Sequence, residues 1–110
     1  MRTTEFSAAA HAEDGFAVVE LAGEVSGGAE ARLQEAYGTV ADKPVVVLDF
    51  SAVDYINSTG IALIVGILAQ ARKSGQEIQA RGLAEHYREI FRITRLSDFM
   101  TILDDEGEEQ

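Results

Sequence analysis

The sequence predicts a single α/β domain whose mostly parallel sheet follows an N-terminal hairpin. Three observations carry that expectation. Val45 to Phe50 is an unbroken apolar run rich in β-branched residues, the pattern of a central strand covered on both faces. Thr59 to Ser74 is an apolar stretch of helical length that meets Gly75, a natural stop. After Asp14-Gly15, strand-like and helix-like segments alternate, which implies parallel strands joined by crossover helices.

Each element follows from local pattern. Thr3 to Ala12 is a weak strand, and Asp14-Gly15 marks a hairpin. Phe16 to Leu21 is the second strand, closed by Gly23. Ser26-Gly27-Gly28 opens a helix from Ala29 to Val40, with Leu33, Ala36, Tyr37 and Val40 on one face. Pro44 precedes the central strand. The helix from Thr59 to Ser74 comes next, and Gln76 to Arg81 then alternates as a strand. Ala84 to Thr94 is a third helix, with Leu83, Tyr87, Ile90 and Phe91 as its apolar stripe, and Phe99 to Leu103 is a last short strand. The order is β-β-α-β-α-β-α-β. The domain is expected over residues 1–104, with an acidic tail at 105–110 whose plain role is a solvated terminus.

Composition narrows the function classes. The chain has 110 residues, 46% apolar and 25% charged, as expected of one soluble globular domain. It has no cysteine, which excludes disulfides, thiol nucleophiles and thiolate metal sites. The formal net charge of −10 argues against nucleic acid and favours a partner with a basic surface. The start reads as free of an apolar leader, and the run Ile61 to Ala69 is shorter than the ~20 residues a bilayer span needs. The expectation is a cytoplasmic protein without membrane insertion, a monomer or weak homodimer.

No enzyme signature is present. Gly23, Gly27 and Gly28 lack phosphate-loop spacing, and no Gly-x-Ser-x-Gly elbow surrounds Ser58. His11 and His86 stand alone, and no His, Asp and Glu cluster has metal-ligand spacing. Arg88, Arg92 and Arg95 read as a solvated helix face pairing with Glu85 and Glu89. No catalytic residue, metal or cofactor is expected.

Two features carry chemistry. Asn57-Ser58-Thr59-Gly60 places two hydroxyls where a helix begins, and free N–H groups and the helix dipole favour an anion there. On pattern alone these residues read first as N-caps, each worth roughly 1 kcal/mol. The helix that follows is the second feature. Ile61, Ile64, Val65, Leu68 and Ala71 share its core face. The opposite stripe is Ala62, Gly66, Ala69 and Lys73, with Leu63 at its edge; an ordinary surface helix would be charged there. Small residues admit close approach of another backbone, either the third helix of the same domain or a partner.

Four stretches together resemble the STAS domain, the fold of bacterial anti-sigma factor antagonists. They are Gly23-Glu24-Val25, Val47-Leu48-Asp49-Phe50-Ser51, Tyr55-Ile56-Asn57-Ser58-Thr59-Gly60-Ile61, and Arg88 to Leu96. The resemblance implies a STAS-like mixed sheet and a binding protein that is not an enzyme. It implies that Ser58, rather than Thr59, is a phosphoacceptor. The implied partner is an anti-sigma factor that is also a serine kinase with an ATPase-type domain. Asn57, Ser58, Thr59, Gly60, Ala62, Leu63, Gly66, Ala69, Lys73 and Ser26 would form the contact. Two positions depart from the family pattern: Asn57 stands where phosphorylatable members have Asp, and Ser26 stands where an acid often follows the Gly-Glu-hydrophobic turn. Asp54 and Asp49 remain as nearby acids. The alternative is an unphosphorylated scaffold or accessory subunit of a signalling or lipid-transport complex.

Overall fold

In the computed structural model, which describes residues 5–103, five strands form one sheet in the order β1-β2-β3-β4-β5. The strands are β1 Ser7–Ala12, β2 Ala17–Val25, β3 Val45–Ile56, β4 Glu77–Arg81 and β5 Thr101–Ile102. The helices are α1 Glu30–Gly38, α2 Ser58–Ser74 and α3 Glu85–Ile93. Strands β1 and β2 form the expected antiparallel hairpin, and every later pairing is parallel. The tail 105–110 lies outside the described residues.

Because the strands follow one another across the sheet in one direction, right-handed crossovers place all three helices on the same face. That face is the core. Val19 and Leu21 of β2, Val46, Leu48 and Phe50 of β3, and Ile78 and Ala80 of β4 pack against Leu33, Ile64, Ile67, Leu68 and Phe91 from the helices. Phe50 and Phe91 meet edge to face with centroids 6.3 Å apart.

The expectation that β3 is covered on both faces is therefore wrong. Its other face carries Val45, Val47 and Asp49 toward solvent, beside Glu20 on β2 and Glu77, Gln79 and Arg81 on β4. Val47 is still only 6% exposed, being flanked in register by Val18 and Gln79. Lateral neighbours on a sheet can thus hide an apolar side chain without a second layer.

Strand β3 also extends beyond the apolar run that ends at Phe50, as far as Ile56. Its extra residues pair with an equally extended β2, from Ala22↔Ala52 to Val25↔Ile56, across two register shifts. Helix α1 is shorter than expected, entered by a 3-10 turn at Gly27–Ala29. A second 3-10 turn, Leu96–Asp98, shortens the last strand to Thr101–Ile102.

Helix α2 stops as its sequence dictates. Gly75 adopts φ 73°, ψ 24°, the left-handed conformation glycine takes without steric penalty. The Gln76 N–H then donates to the Ala71 carbonyl at 2.8 Å. The Gln76 side chain is buried and fully used: Tyr37 Oη donates to its Oε1 at 2.5 Å, and its Nε2 donates to the Lys43 carbonyl at 2.7 Å. This polar knot ties α1, the loop before β3 and the end of α2 into one unit. Burial raises the Tyr37 phenol above its ordinary pKa.

Candidate functional site

The site lies at the C-terminal ends of the parallel strands, where open α/β sheets place their functional loops. Asn57 leaves β3 in an extended conformation, φ −97°, ψ −176°, and becomes the N-cap of α2. Its Oδ1 accepts from the Gly60 N–H at 2.8 Å, and its carbonyl accepts from the Ile61 N–H at 2.9 Å. The cap role open to three residues in the sequence thus falls to Asn57. Ser58 is the first helical residue, exposed, and among the described residues its hydroxyl has no hydrogen-bond partner. Helix formation does not require that hydroxyl.

Gly60 is buried where α2 crosses the end of β2. A Cβ at this position would collide with the Val25 carbonyl oxygen. The same carbonyl accepts the Asn57 N–H at 3.2 Å. Glycine here allows the helix start to lie directly on β2. The Thr59 methyl lies 3.6 Å from the place a Gly27 Cβ would occupy. Thr59 thus sits beside the turn that follows Ser26. Ser26 is half-buried and caps nothing with its side chain, its carbonyl accepting the Ala29 N–H at 2.9 Å.

Electrostatically the site is open to an anion. The first turn of α2 contains no acidic residue, and the Asn57 cap is neutral. The free N–H groups and the dipole thus meet no carboxylate on the helix itself. Asp54 is exposed on the strand before the site. Asp49 is occupied elsewhere, about 20 Å back along β3. Burial pushes its carboxyl up. The Ser51 Oγ at 2.7 Å, the Ser51 N–H at 2.9 Å and the Arg81 guanidinium at 2.9 Å outweigh that and hold it below the ordinary carboxylate range.

The stripe of small residues on α2 is solvent-facing for most of its length and extends beyond one patch. Ala62, Ala69 and Lys73 are exposed and Gly66 is half-buried, with nothing within 4 Å of the place its Cβ would take. The third helix does not cover them. Leu63 is partly buried against the core. At 1.5 Å per residue, Ala62 lies about 6 Å along the axis from Ser58, Ala69 about 16 Å and Lys73 about 22 Å. Only Asn57, Ser58, Thr59, Gly60, Ala62 and Ser26 cluster at the strand ends. Two core assignments change: Val65, expected inside, is 43% exposed, and Ile67, unassigned in the sequence, is fully buried. The helix is rotated by a fraction of a turn relative to its hydrophobic pattern, because α1 and the sheet together define its buried side.

Two aromatic residues near the site were not anticipated. Tyr55, on the β3 extension, is 51% exposed. Tyr87, expected only as part of an apolar stripe, turns its phenol to the Ile56 N–H at 3.0 Å. An aromatic in a polar segment next to a helix start was the available signal for Tyr55. For Tyr87 no local signal exists, since its partner is distant in sequence. On α3, Arg92 pairs with Glu89; Arg95, expected on the same helix face, lies beyond the helix and pairs with Asp98 of the following 3-10 turn. Among the described residues no group of three or more His, Cys, Asp or Glu could hold a metal ion. No described helix is long and apolar enough to cross a membrane.

The comparisons agree with this fold. The family model described as "Mlab, STAS domain" matches residues 8–104. The anti-sigma-B factor antagonist of Listeria monocytogenes is 33% identical over 90 residues, covering 80% of this chain and 79% of the relative. The crystal structure of an anti-sigma factor antagonist from Mycobacterium paratuberculosis superposes with a TM-score of 0.70 at 26% identity, covering 89% of this chain and 85% of the other. The Bacillus cell fate determinant SpoIIAA in its phosphorylated form shares the fold, with a TM-score of 0.69 at 16% identity over 93% of this chain and 94% of that one. A matching family model over most of the chain, a relative at this identity and the shared five-stranded architecture lead to one conclusion: the chain belongs to the STAS domain family of anti-sigma factor antagonists.

Proposed function

We propose that this chain is a phosphorylation-controlled binding switch. Unmodified, it docks on an anti-sigma factor that is also an ATPase-type serine kinase, and sequesters it so that a sigma factor is released. Phosphate on Ser58 ends the complex. The chain supplies an acceptor hydroxyl and a docking surface; the phosphoryl-transfer chemistry belongs to the kinase. It acts in the cytoplasm as a monomer or weak homodimer.

One observation carries this proposal. Asn57 performs the capping, which leaves the Ser58 hydroxyl exposed and, among the described residues, without a partner at the N-terminus of α2. A phosphate there would gain free backbone N–H groups and the positive end of the helix dipole. It would add about −1.5 to −2 charge beside Ala62 and the Ser26 turn without needing a new fold. The neutral Asn57 departs from the Asp of phosphorylatable members, and a phosphate on Ser58 would meet no carboxylate at the cap.

The test is direct. Purified ATPase-type serine kinases from the chain's own genome are incubated with it and ATP, and modified residues are mapped by mass spectrometry. One phosphate on Ser58 is expected, abolished by Ser58→Ala and retained in Thr59→Ala. Ser58→Asp should weaken kinase binding at least tenfold. Undiminished labelling of Ser58→Ala, or equal binding of both forms, overturns the switch and leaves a scaffold role in a larger signalling or lipid-transport assembly.

A further inference from the structure

Strand β3 outruns its neighbour β4. Its pairing with β4 ends at Asp49↔Arg81, while its pairing with β2 continues to Val25↔Ile56. On the side away from β2, the end of β3 must find partners outside the sheet or leave them to water. Ile56 finds one on α3: its N–H donates to the Tyr87 phenol oxygen at 3.0 Å. The next amide, Asn57, points the other way and donates to the Val25 carbonyl at 3.2 Å. Two adjacent peptide units, immediately before the first residue of α2, are thus clamped from opposite sides.

The Tyr87 clamp is itself well placed. Its ring lies edge-on to His86 with centroids 4.9 Å apart. It also lines a small cavity of about 80 Å³ with Phe50, Val53, Ile56 and Leu83. Tyr87 is half-buried and Ile56 is buried, so the phenol oxygen satisfies an amide that the sheet leaves unpaired on this side.

We propose that Tyr87 is a positioning residue for Ser58. Through the Ile56 amide it fixes the strand end from which α2 starts, and so couples α3 to the phosphorylation site. The proposal rests on Ser58 being the acceptor. Removing the phenol oxygen should leave the core intact, loosen the strand end and lower the rate at which a kinase finds Ser58 in a reactive position.

Tyr87→Phe tests this because it keeps the ring and deletes one oxygen. Amide exchange at Ile56, followed by NMR, should quicken about fivefold, the effect of losing one ordinary hydrogen bond. Phosphorylation of Ser58 by the kinase that modifies the wild type should fall about fivefold in kcat/KM, with most of the loss in kcat. Thr94→Val is the control: it removes another α3 hydrogen bond, from Thr94 Oγ1 to the Ile90 carbonyl at 2.7 Å, at the far end of the helix. It should change neither readout. If Ile56 exchange is unchanged, or if Tyr87→Phe is phosphorylated at the wild-type rate or no more slowly than Thr94→Val, the positioning role is overturned while the switch stands. If the wild type is never phosphorylated on Ser58, the switch falls and the positioning role with it.

Discussion

Two glycines of α2 meet opposite demands, and they separate the functional end of the helix from its outer face. Gly60 lies against the Val25 carbonyl, so any Cβ there must push backbone aside. Gly66 faces open space. Gly60→Ala should destabilise the chain by about 2–3 kcal/mol, the range for overpacking against an unyielding neighbour. Gly66→Ala should stabilise it by about 0.5–1 kcal/mol, the ordinary gain in helix propensity. Urea titrations of the two variants measure both; equal effects would mean that α2 does not rest on β2 as described. The sequence announced a helix start at Asn57-Ser58-Thr59-Gly60, yet it did not say which residue caps. That depends on which residue leaves β3 in an extended conformation, and β2 decides it by holding the Asn57 N–H. The division between a capping Asn57 and a free Ser58 is thus a tertiary fact expressed in two adjacent residues.

At the scale of elements, α2 works with two ends and two faces. Its inner face was legible because Ile64, Leu68 and Ala71 recur at helical spacing, and all three are buried. Val65 was misassigned and Ile67 left unassigned because a helix this apolar has no sharp boundary between faces, so its rotation is set by packing. The β3 extension was illegible for a related reason. Ser51 to Tyr55 has no strand pattern of its own and pairs only because β2 extends beside it. On the outer face, distance from Ser58 becomes the useful variable. If docking centres on the strand ends, Ala62→Glu, about one turn from Ser58, should weaken kinase binding at least tenfold. Lys73→Glu, about 22 Å along the axis, should change it less than threefold. Both positions are exposed, so thermal midpoints should stay near the wild-type value. Equal losses would mean that the partner covers the whole stripe. Unfolding of Ala62→Glu would return the stripe to the core.

For the whole molecule, one-directional strand order determines which surfaces exist. Right-handed crossovers put every helix on one face, so the apolar run of β3 needed only one covering layer, and the strand ends were left to build the site. Strand–helix alternation made that topology legible, while the uncovered face was not, because Val47 is hidden by its lateral neighbours rather than by a second layer. Net charge acts at the same scale. A chain at −10 approaching a basic partner is steered by its total field, to which phosphate on Ser58 adds only about −1.5 to −2. That addition cannot slow the encounter with a basic surface; if anything it favours it. The phosphate must instead act at short range, where a dianion has to be desolvated against the apolar neighbours at Ala62. Stopped-flow association of the kinase with unmodified and phosphorylated chain should therefore give association rates within about twofold of each other, both falling as salt rises. Dissociation should be at least tenfold faster for the phosphorylated form. If the whole difference lies in association and vanishes at high salt, the phosphate acts by long-range repulsion. The docking surface of the partner would then be acidic, not basic.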